Sequence, residues 1–89
     1  MSADGETPAD DWDAERTAIM AQLRAEIAAA GLSVAELCRR AGVPRPTIDR
    51  YLAGERDMPL STLHRIARAV RVEPATILAR AKDRRGARP

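Results

Sequence analysis

"LSVAELCRRAGVPRPTIDRYLAG", residues 32–54, decides how this chain folds. Ser33 can cap a helix, and Glu36 three residues later makes the pair a capping box. Leu37 and Ala41 then face inward. Gly42 ends the helix after about two turns and can take the left-handed backbone of a tight turn. The next segment starts on two prolines that bracket Arg45. The first N–H groups of a helix have no internal acceptor, so proline in the first turn breaks no bond. Pro46 pushes the residue before it toward extended geometry. The expectation is therefore Arg45 as N-cap, Pro46 as the first helical residue, and a turn stiffened by Pro44. Arg45 then stands at the helix tip with little backbone freedom left to lose on binding. A link this short forces two helices to cross steeply, as in a helix-turn-helix. Leu37, Ala41, Val43, Ile48 and Tyr51 can share one core, with the small Cys38 where the helices approach.

Three further helices flank this pair. In "TPADDWDAERTAIMAQLRAEIAAAG" (7–31), Ile19, Leu23 and Ile27 recur every four residues and mark one buried face. Thr7 can cap it with Pro8 at the first position; a start near Asp11 or Asp13 is equally open. Gly31 supplies the stop. After Gly54, "MPLSTLHRIARAVRV" (58–72) places Leu60, Leu63, Ile66, Ala67 and Val70 on one face. "EPATILARAKDRR" (73–85) starts with Pro74 at the first helical position. Ile77 and Leu78 look inward or toward a partner chain. No strand or internal repeat is expected. The organisation read is an acidic arm over 1–12, partly helical, a domain over 13–83, and a basic, disordered tail over 84–89.

Composition agrees. Apolar residues are 45% of the 89, enough for a core, and with no Phe, one Trp and one Tyr that core must be aliphatic. One cysteine forms no internal disulfide, which suits a reducing, cytoplasmic setting. The acidic start lacks the apolar stretch of a signal peptide, and no apolar run approaches a membrane span. The net charge of +2 hides an asymmetry. Residues 1–15 hold six acids and no base; residues 16–89 hold all 15 bases against seven acids, a net of +8. Fourteen of those bases are Arg, which suits forked recognition of phosphate or guanine, or reflects Arg replacing Lys in a GC-rich genome. Catalysis and metal binding lack material: His64 is the one His, expected in solvent, and Cys38 the one Cys, expected in the core. No Gly-rich phosphate loop occurs, and no cofactor is implied.

The ordered set "LS..EL...AGV", "TI.RYLAG" and "PLSTL..IA.AV.V", spread over residues 23–78, resembles the Cro and phage-repressor (Xre-like) helix-turn-helix domain. The resemblance implies an all-α, five-helix, lambda-repressor-like fold whose third helix, about residues 45–53, lies in the major groove of double-stranded DNA. It implies base-facing roles at Arg45, Pro46, Asp49 and Arg50. Arg45 and Arg50 can each read guanine through O6 and N7. Asp49 can accept from cytosine N4, or pair with Arg45 one turn away. Pro46 offers apolar contact only. Ser33, Thr47, Arg56, Arg39 and Arg40 are the phosphate candidates, Arg39 and Arg40 with a solvated helix face as the alternative.

The sequence departs from the family in instructive places. Many members have a phosphate-binding Gln at the position of Val34 and an Asn at that of Ala53; neither replacement can make those bonds. The loop "ERDM" (55–58) is close to neutral, with Arg56 its sole cation. Ile27 and Leu52 stand where many members pair Arg with Glu, so the two are expected to touch. Arg71 stands where the family usually has Gly, so a positive φ is expected there.

The function expected is a homodimeric, sequence-specific transcriptional regulator, a repressor that occludes a promoter. The alternative is a protein-interaction module on the same fold, such as an antitoxin or adaptor, using helix five or the acidic arm with Trp12. Trp12 itself has three readings: packing helix one onto the domain, docking a partner protein, or belonging to an arm that folds over the basic face.

Overall fold

The computed structural model describes residues 9–86, with side chains from residue 11. Five helices follow in order: α1 (Ala9–Ala29), α2 (Val34–Ala41), α3 (Arg45–Leu52), α4 (Leu60–Val70) and α5 (Pro74–Gly86). There is no strand among the described residues. The long α1 packs mainly along α5, α2 lies across α4, and α3 is held by α1 and α2. Thr7 and Pro8 lie outside the described residues. The segment read as a basic tail is helical through Gly86.

Each helix sends one large side chain into full burial: Leu23, Leu37, Ile48, Ile66 and Ile77. This aliphatic centre ties the five elements together, since helices of 8 to 13 residues, such as α2 to α5, are marginal in water on their own. Ala41, Val43 and Tyr51 are buried as the periodicity requires. Ile27 and Leu52 are both buried in that core. Leu60 departs from its expected inward place and is 67% exposed, on a groove it lines with Trp12, Met58 and Leu78 rather than in the closed core.

Helix ends are built locally. Ser33 Oγ accepts the Glu36 amide at 3.0 Å. Only that half of the capping box forms, because the Glu36 carboxylate instead accepts from Arg39 and from Arg40 Nε, the latter at 3.2 Å. These guanidinium groups, Arg39 first, hold the Glu36 carboxyl below its ordinary pKa. Gly42 closes α2 at φ 72°. The start of α3 differs from the sequence expectation by one residue: Pro44 is the N-cap and Arg45 the first helical residue. The Pro44 carbonyl accepts from the Thr47 and Ile48 amides, each at 3.1 Å. Those bonds draw Arg45 into the helix and outweigh the extended preference that Pro46 imposes.

Arg71 ends α4 with φ 61° and ψ 41°, the left-handed geometry expected of it. The Val72 amide bonds Ala67 O at 3.0 Å and the Arg71 amide bonds Arg68 O at 3.2 Å. This is a Schellman closure, which glycine normally serves. An L side chain there costs about 1–2 kcal/mol.

One polar cluster is buried. Glu26 and Gln22 on α1 are 5% and 8% exposed. Glu26 accepts from Arg80 Nη1 and Gln22 Nε2, both at 2.7 Å, while Gln22 Oε1 accepts from Arg84 Nε at 2.6 Å. The Arg80 hydrogen bond holds the Glu26 carboxyl below its ordinary pKa despite burial. The clasp fixes α5 along α1.

Candidate nucleic-acid interface

Helix α3 has two unlike faces. Ile48, Tyr51 and Leu52 are buried; Arg45, Pro46, Asp49 and Arg50 are exposed. The exposed four fall at spacings of one, four and five residues, so they form one continuous edge. Thr47 is half-buried beside them. Arg45 Nε donates to Asp49 Oδ1 at 3.3 Å, the one-turn pair that the spacing allows. Arg50 has no ion-pair partner among the described residues. An exposed pair such as Arg45–Asp49 is worth about 0.2–1 kcal/mol, less than the roughly 1–3 kcal/mol of a forked Arg–guanine contact. Arg45 can therefore exchange Asp49 for a base edge.

The other candidates fall around this edge. Ser33 is exposed at the cap of α2; its oxygen accepts the Glu36 amide, so its hydroxyl proton remains to donate. The Val34 and Ala35 amides precede the first capped amide of α2 and are free to meet an anion. At α3 the Thr47 and Ile48 amides are both spent on Pro44, and Pro46 has no N–H, so Arg45 holds the one amide left. Arg56 is exposed in the loop after α3, without an ion pair among the described residues. Arg39 and Arg40, expected on phosphate, both lie on α2 and share Glu36. Arg40 also faces α4 rather than α3.

Two arginines that sequence reading did not single out hold this edge in place. Arg24 of α1 donates to the Leu52 carbonyl, at the C-terminus of α3 where a cation meets the negative end of the helix dipole. Arg16 of α1 donates to Asp57 at 2.9 Å and to Asp13 at 3.2 Å. The Asp57 bond ties the loop to α1 and neutralises one of its two acids, leaving that loop less acidic than its sequence. No local signal could have found either contact, since their partners lie 28 and 41 residues away. Cys38 is half-buried beside α3; burial pushes its thiol up against the opposing charge of Arg45, as befits a packing residue. His64 is exposed on α4.

A family model for the Cro/C1-type HTH DNA-binding domain matches residues 22–83. The chain belongs to this family. Comparison with curated proteins gives no match. The Cro/C1-type match takes in α2 to α5 and the last turns of α1. It identifies a DNA-binding helix-turn-helix domain. Trp12 and Arg16, on the first turns of α1, lie outside the matched segment. Among the described residues no single helix is long and apolar enough to cross a membrane, and no group of acids, His and Cys is placed to hold a metal ion.

Proposed function

We propose that this Cro/C1-type domain is a cytoplasmic, sequence-specific transcriptional repressor. It acts as a homodimer that lays α3 of each protomer in successive major grooves, about 34 Å apart, and occludes a promoter. The observation that carries this reading is the α3 edge: Arg45, Pro46, Asp49 and Arg50 stand together in solvent, with Arg50 in no ion pair among the described residues. Arg50 reads guanine, and Arg45 does so on leaving Asp49. Pro46 packs on a thymine methyl. Ser33, Thr47 and Arg56 hold phosphate around the edge. Selection from a random duplex library at about 150 mM salt tests this, and a two-fold motif containing guanine is the expected product. Arg50→Ala should relax one base position per half-site, at about 1–3 kcal/mol. Loss of affinity for all sequences alike would mean that Arg50 touches backbone only.

A second reading, an interaction module of antitoxin or adaptor type, is favoured by one observation. The three large apolar side chains exposed among the described residues, Trp12, Leu60 and Leu78, all line one groove with Ile19, Met20 and Met58. In the regulator reading the same groove is the dimer surface. Leu78→Glu should then give a folded monomer by sedimentation and weaken binding to a two-fold site. A variant still dimeric and still tight on DNA frees the groove for a different protein.

A further inference from the structure

Four arginines converge on one depression outside α3. Arg40 comes from the end of α2; Arg65 and Arg68 come from α4; Arg71 is the left-handed residue that ends α4. Ala41 and Ala69 form the floor between them, and no acid and no residue of α3 lines the site. Arg65, Arg68 and Arg71 have no ion pair or side-chain hydrogen bond among the described residues. Arg40 gives its Nε to Glu36 at 3.2 Å and keeps its other N–H groups.

Two physical facts make this arrangement costly when empty. Arg65 and Arg68 are three apart on one side of α4, and Arg71, just past its end, brings a third like charge to the same depression. Arg71 also holds a backbone conformation in which glycine is unstrained and arginine is not. A strained non-glycine residue that carries a fourth cation to a cluster of three is an outlier that points to use. Guanidinium forks match phosphate oxygens two at a time, and the small alanine floor lets such a group sit between them.

We propose that Arg40, Arg65, Arg68 and Arg71 form a second phosphate site, distinct from the α3 edge, that takes a run of phosphate oxyanions. The run is supplied either by a free oligophosphate or by the backbone of a duplex lying outside the half-site that α3 contacts. Bound phosphate offsets the repulsion among the four cations. A ligand held there stabilises the folded domain by mass action.

The test uses the full chain and two probes. The first is inorganic tripolyphosphate, followed by calorimetry at about 50 mM salt, where screening is weak. No DNA is present, so failure of this arm is separate from failure of the α3 reading. Arg71→Gly and Arg68→Ala should each weaken binding roughly three- to tenfold, while Arg50→Ala leaves it within twofold. Arg71→Gly keeps the fold by relieving strain, so a loss there is not unfolding. The second probe is a random-sequence duplex, with log Kd followed against log salt. If the backbone is the source, each lost arginine lowers the slope by about 0.9 and leaves sequence preference unchanged. A response in either arm supports the site and names its ligand. No response in both, or equal weakening of tripolyphosphate by Arg50→Ala, overturns it as diffuse surface charge.

Discussion

Replacing Arg71 with glycine should make the domain more stable, because Arg71 is exposed and its side chain holds no ion pair among the described residues. The backbone there sits at φ 61° and ψ 41°. Relief of left-handed strain contributes about 1–2 kcal/mol. Glycine frees the unfolded chain, which takes back about 0.4–1 kcal/mol. Removing the like charge three residues from Arg68 adds a few tenths, about 0.2–0.5 kcal/mol. The midpoints of these ranges leave a net stabilisation of about 1 kcal/mol. For a domain of this size that corresponds to a rise in Tm of roughly 4–8 °C. Thermal unfolding followed by far-ultraviolet circular dichroism reads it, and the urea midpoint should rise with an unchanged slope. An unchanged or lower Tm would refute the reasoning, because it would show that the Arg71 side chain contributes more than its backbone strain costs.

Two other outcomes follow from the core and the clasp. Ile48→Ala removes the one fully buried side chain of α3 and should cost about 2–5 kcal/mol, a large share of the 5–15 kcal/mol typical of a whole domain; a urea midpoint within error of the parent would mean that α3 is not held by the core. The Glu26 carboxyl is held below its unfolded value of 4.5 by Arg80, so its contribution is complete above that pH and is lost as the pH falls through the lower folded value. Stability of the parent should therefore drop more steeply than that of Glu26→Gln on acidification below about pH 4.5, and parallel curves from urea titrations would rule the clasp out as the cause.

Much of the fold is legible because its signals are local. The Ser33 cap, the Gly42 turn and Pro74 at the start of α5 each depend on residues within one turn, while the positive φ at Arg71 is expected from the family resemblance, which puts glycine there. The inward faces of α2 and α3 follow from periodicity, whereas the edge of Arg45, Pro46, Asp49 and Arg50 is implied by the family resemblance. Leu60 shows the limit of that rule: its spacing matches the buried face of α4, yet periodicity cannot say where the neighbouring elements stop. The start of α3 shows another, since Arg45 obeys the Pro44 carbonyl rather than the residue that follows it.

Sequence alone determined an all-helical chain, the helix-turn-helix pair and the two-faced α3, because helical periodicity, caps and turn residues act over a few positions. Tertiary structure alone decided which charges meet. Arg24 on Leu52, Arg16 on Asp57, Arg80 on Glu26 and Arg84 on Gln22 join residues 28, 41, 54 and 62 apart. Arg40 reaches the arginines of α4 in the same way. Long flexible side chains carry no periodic signature, and their partners are set by how whole helices pack. The five aliphatic residues at the centre fix that packing, and the charged surface takes its pattern from it.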